Sequence, residues 1–123
     1  LYPQAKELFT WMKNQPPNKV FLNFPIGFRL KPATNFDIIY VFNSRLHFKK
    51  IVNGYSGQTP PNYQMLINSL NSSGPQKSLL LLKAFKVNYL IYHFDFYNQP
   101  EKTKKWYINQ LNLSDNIKYV THF

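Results

Sequence analysis

The sequence contains no cysteine, and that one absence removes disulfide frameworks and thiolate zinc sites together. Acid is nearly as scarce: Glu7, Asp37, Asp95, Glu101 and Asp115 are the whole supply in 123 residues. Paired-carboxylate chemistry of the glycosidase kind has little to draw on, and two of these acids fall where the first turn of a helix favours negative charge. No apolar run, the "LLLL" of Leu79 to Leu82 included, approaches the roughly 18 residues needed to cross a bilayer. The three histidines, His47, His93 and His122, never stand at the i, i+4 spacing of a helical zinc motif, so no metal site is expected.

What is present is aromatic and basic. Eleven Phe, nine Tyr and two Trp, within 44% hydrophobic residues, supply a single core and argue for one domain over residues 1–123. A net charge of +10 creates a field attractive to phosphates, anionic lipid or nucleic acid. Thirteen of the fifteen basic residues are lysines scattered along the chain, which is a poor footprint for nucleic acid. The chain begins at Leu1 with neither an initiator Met nor a signal-peptide pattern, so it is expected to be a piece of a larger protein.

Two periodicities alternate. "YPQAKELFTWMKN" sets Tyr2, Ala5, Leu8, Phe9 and Met12 on one helical face, and "QPPN" stops that helix before the strand "KVFLNF". "PIGFRLKPAT" reads as a connector. In "NFDIIYVFNSRLHF", alternation sets Phe36, Ile38, Tyr40 and Phe42 on one side of a strand, whereas Ile38, Ile39, Phe42 and Leu46 form a helical stripe. Thr34 with Asp37 three residues on resembles a capping box and tips the reading toward helix. "KKIVNG" is a short strand, and "TPPNYQMLINSLNS" and "SGPQKSLLLLKAFK" are helices with proline in the first turn. "VNYLIYHF" reads as a central strand buried on both faces, and "NQPEKTKKWYINQLN" as a helix laying Trp106, Tyr107, Gln110 and Leu111 on the sheet. "NIKYVTHF" closes as a strand. The expected fold is α/β, a small three-layer sandwich with a mostly parallel four-stranded sheet, Rossmann-like or flavodoxin-like.

In such sheets ligands sit beyond the carboxyl ends of the strands. "NGYSGQTPP" leaves one such end for a helix start, so its backbone donors suit an anion. It matches neither the three-glycine dinucleotide pattern nor a phosphate loop, and Gly54 and Gly57 read first as turn residues with positive φ. His93 and Asp95, two apart at a strand end, are the parts of a general base or simply a hydrogen-bonded strand terminus. The candidate ligand-binding residues are therefore His47, Asn53, Gly54, Tyr55, Ser56, Gly57, Tyr63, His93 and Asp95, with no catalytic residue and no cofactor assigned. "NSS" at Asn71 and "NLS" at Asn112 match the glycosylation sequon, as chance allows in an Asn-rich chain.

Four segments carry a resemblance: "YPQAKELFTWMKNQP", the strand leading into "FPIG", "HFKKIVNGYSGQTPPNYQML" and "LLKAFKVNYLIYH". Together they resemble the C-terminal soluble region of bacterial multi-spanning membrane proteins related to glycosyltransferases that use lipid-linked sugars. Lys50 stands where that pattern has proline and Lys86 where it has glycine. The resemblance implies an accessory, noncatalytic extracytoplasmic domain at the cell membrane, because the family's chemistry is attributed to acidic residues near its membrane spans. It implies carbohydrate or a polyprenyl-phosphate-sugar as ligand, with Tyr55 and Tyr63 for stacking and Asn53 and Ser56 for hydrogen bonds. The membrane surface and the parent's transmembrane region are the implied partners. The alternatives are an interaction module that docks on its own membrane portion or self-associates, and a hydrolase using His93 and Asp95.

Overall fold

The computed structural model describes residues 5–26, 28–30, 33–53, 61–112 and 123. Helix α1 (Ala5–Lys13) buries Ala5, Leu8, Phe9 and Met12, the face its spacing predicts. It is followed by strand β1 (Val20–Phe24), a two-stranded antiparallel hairpin of β2 (Phe28–Leu30) and β3 (Ala33–Asn35), and helix α2 (Phe36–His47). Next come β4 (Lys50–Ile51), α3 (Pro61–Ser73), a 3₁₀ turn (Gln76–Ser78), α4 (Leu79–Ala84) and β5 (Tyr89–Tyr92). A second 3₁₀ turn (Phe94–Phe96) and α5 (Pro100–Asn112) complete the described elements.

The architecture is α/β, with a three-stranded parallel sheet in the order β4-β1-β5. Among the described residues β1, not β5, is the middle strand, and the strand expected over "NIKYVTHF" falls outside them except for Phe123. β1 earns the central place by composition, since Phe21, Leu22 and Phe24 give it apolar side chains on both faces. The stretch expected as a plain connector holds the β2-β3 hairpin instead.

The sheet is covered on both faces. Phe21 and Ile91, with Ile51 and Tyr89, meet α1 on one side. Leu22, Phe24 and Val52, with Leu90 and Tyr92, meet Tyr63, Leu66 and Leu70 of α3 and Leu82 of α4 on the other. Helix α2 runs beside α1, and its burial differs from the apolar stripe seen in the sequence. Phe36, Tyr40 and His47 are buried, whereas Ile38, Phe42 and Leu46 face outward.

Candidate functional site at the carboxyl edge of the sheet

Pairing of Val20 with Lys50 and Phe21 with Ile51 sets Asn23 and Asn53 level with one another on neighbouring strands. Beyond Ile51 the β4 main chain continues the ladder once, with Val52 N–H donating to Phe21 C=O at 2.9 Å. After that the Asn53 side chain replaces the main chain. Its Oδ1 accepts from Asn23 N–H at 2.7 Å and its Nδ2 donates to Asn23 C=O at 2.9 Å, as a peptide unit would. The same carboxamide also accepts from Asn23 Nδ2 at 3.3 Å and donates to Asp37 Oδ1 at 3.1 Å. All its hydrogen-bonding capacity is used, as burial at 3% exposure demands.

The chain of bonds extends both ways. Tyr63 on α3 donates its hydroxyl to Asp37 Oδ2 at 2.9 Å. At the other end His93 Nε2 lies 2.9 Å from Asn23 Oδ1. Because Asn23 Nδ2 is directed at Asn53, its Oδ1 faces the imidazole, and Nε2 of His93 must carry the proton. Burial holds the His93 pKa down at about 4, so the ring is neutral at physiological pH. Tyr40 and Phe96 stack on that ring with centroids at 5.1 and 5.3 Å, and the Tyr40 hydroxyl donates to Pro25 C=O at 2.7 Å. Tyr63, Asp37, Asn53, Asn23 and His93 thus form one polar relay across the carboxyl ends of all three strands.

The expected site residues divide accordingly. Asn53, Tyr63 and His93 come together here. Asp95 is not among them: it is exposed on the following 3₁₀ turn, while His93 is buried in the relay. His47 closes the far end of α2, ten residues from Asp37 and so about 15 Å along the helix axis. There it is buried against Phe9, accepts from Lys49 N–H through Nδ1, and has a pKa lowered to about 4 by burial and then by the Lys49 charge. Gly54, Tyr55, Ser56 and Gly57 lie outside the described residues, which resume at α3. Among the described residues no three His, Asp or Glu side chains gather as a metal site would require, and no helix is long and apolar enough to cross a membrane.

A cavity of about 290 Å³ opens on the opposite face of the same edge. One wall is Phe24 to Ile26, leaving the end of β1; another is the last turn of α3, Leu70 to Gly74; Tyr97, Trp106 and Tyr107 supply the third. Gly74 turns the chain there with φ +78°, and a Cβ on it would stand 3.8 Å from the Trp106 ring. Trp106 is half exposed, whereas Tyr107 packs on the sheet, its ring 4.3 Å from that of Tyr92. The Tyr92 hydroxyl is buried without a hydrogen-bond partner among the described residues, and burial, with Tyr107 beside it, raises its pKa. Burial also raises Tyr107, against a hydrogen bond from Tyr97.

Sequence reading missed Asp37 as a site residue because its capping role was sufficient explanation, and it missed the cavity because Trp106 was turned toward the sheet. The one available signal was "NSSG" at a helix end, where small polar residues leave room beside aromatic ones. No protein-family description, no curated protein and no solved structure matches this chain, so its function is argued from this edge alone.

Proposed function

We propose that the chain is an accessory, noncatalytic extracytoplasmic domain of a membrane glycosyltransferase-like protein, holding a neutral sugar of the acceptor or of a lipid-linked donor. The support is the cavity beyond β1 and β5. Its walls combine aromatic faces with the amide of Asn71 and the hydroxyls of Ser72 and Ser73, and among the described residues no charged side chain lines it. Sugars present apolar ring faces and a circumference of hydroxyls, which such a mixture serves. The cavity lies at the lower end of the roughly 300–1,000 Å³ typical of small-ligand sites, the scale of a single ring. Asn53, the last described residue before segment 54–60, lies at the same carboxyl edge. In this reading residues 116–123 add a fourth strand, giving the Rossmann-like sandwich; the contact of Phe123 with Trp11, which packs on Tyr89 of β5, supports that placement.

Titration with neutral monosaccharides and with polyprenyl-phosphate-sugar analogues, followed by amide chemical shifts and Trp fluorescence, tests it. Saturable changes at Ser72, Tyr97 and Trp106 are expected, with affinity falling about tenfold in Trp106→Ala through loss of a stacking face. Changes confined to residues away from this edge, or none, would refute the proposal.

A further inference from the structure

The outer face of α2 is apolar where a surface helix is ordinarily polar. Ile38, Val41, Phe42 and Leu46 follow one another at helical spacing and all are exposed, Ile38 at 65% and Phe42 at 59%. Phe48, one residue past the helix, continues the face at 76% exposure. Its backbone is left-handed, φ 58°, at a position that normally falls to glycine or asparagine. A strained backbone carrying an aromatic ring into water is difficult to explain by folding alone.

Both charged groups seated on the rings of this face are cations. Arg45 lies over the Phe42 ring, 3.9 Å from its centroid, and Lys13 of α1 over the Phe48 ring at 5.8 Å. Lys49, two residues past the helix, instead gives its ammonium to Gln15 C=O. The single acid of α2, Asp37, is turned inward onto Asn53 and Tyr63. A second copy would bring the same basic rim and the same +10 charge against it, which opposes pairing at low ionic strength. An anionic surface is attracted by the rim and accepts the apolar side chains below it, the arrangement of a helix lying in a membrane interface.

We infer that the outer face of α2, continued by Phe48, docks on the surface of an anionic lipid bilayer. The helix lies flat, with Ile38, Phe42, Leu46 and Phe48 inserted at the headgroup boundary and Arg45 and Lys13 on the phosphates. The site is separate from the carboxyl-edge cavity, and its occupant is the lipid headgroup layer and not a soluble phosphate.

Sedimentation of the 123-residue chain with vesicles of phosphatidylcholine alone, and with phosphatidylglycerol added, tests the inference directly. Binding is expected only with the anionic lipid, weakening as salt rises. The double variant Phe42→Ser, Phe48→Ser is expected to lower the partition coefficient at least about tenfold. Its circular dichroism and melting should stay as in the parent, since both rings are exposed. Arg45→Glu, which leaves the apolar face intact, should lower binding about fivefold or more. Free inorganic phosphate at the same phosphate concentration should not compete. Equal binding to neutral vesicles, variants that bind like the parent, or competition by phosphate would overturn the inference. So would self-association in sedimentation velocity that disappears in the double variant, since a second copy would then be the occupant.

Discussion

Asn53 shows how one side chain can occupy a place made for backbone. Its carboxamide completes the ladder to Asn23 where β4 has only two residues, and its remaining capacity reaches Asp37. Asn53→Ala would leave the Asn23 N–H and C=O buried without these bonds and Asp37 without one of its donors. Each orphaned group costs about 1–3 kcal/mol, and a loss of about 3 kcal/mol is expected in urea denaturation; a change below about 1 kcal/mol would show that water replaces the amide. The sequence marked Asn53 for hydrogen bonds and Tyr63 for stacking on a ligand, whereas both side chains hydrogen-bond within the protein. It could not reveal that both serve Asp37, because those partners are 16 and 26 residues away and no local spacing encodes them.

At the level of the element, the same limit has a different form. Periodicity announced α1 and its buried face correctly, because only one side of that helix is apolar. In α2 the stripe of Ile38, Ile39, Phe42 and Leu46 pointed to the wrong face, because both sides of the helix are apolar and Phe36 and Tyr40 are the residues buried. In α5 Trp106 and Tyr107 were both expected on the sheet and Tyr107 packs there while Trp106 is half exposed, neighbours on a helix standing about 100° apart. The join between α4 and β5 was marked by an expected glycine at a position that carries Lys86. There the backbone is left-handed, φ 58°, and Lys86 and Val87 N–H close the helix on Lys83 and Leu82 carbonyls. Lys86→Gly removes the clash of Cβ with the backbone and should raise stability by about 1 kcal/mol in chemical denaturation, despite the added freedom of the unfolded chain. A destabilised variant would mean that the lysine stem contributes packing at this join.

For the whole molecule, the buried histidines set a pH range. Each has a folded pKa of about 4 against 6.5 for an unperturbed imidazole. Between those values the unfolded chain binds protons that the folded one excludes, so stability is complete above about pH 6.5 and falls as pH drops toward 4. The slope is up to about 1.4 kcal/mol per pH unit for each ring. Urea midpoints at about pH 7, 5.5 and 4.5 should decline accordingly, and His93→Gln, which keeps a donor for Asn23, should remove one share of the decline; a midpoint unchanged from about pH 7 to 5 would contradict the assignment. The two rings lie at opposite ends of α2, so acid loosens that helix from both. The level placement of Asn23 and Asn53 also bears on how the sheet assembles. A two-residue β4 has too few ladder bonds to choose its own alignment, and sliding it one position along β1 would reverse its faces. The Asn53 amide would then sit among Leu66 and Leu70, remote from every partner it now has. The asparagine pair therefore acts as a key that admits a single alignment, and the edge that offers the candidate site is also the edge that tells the strands where to stop.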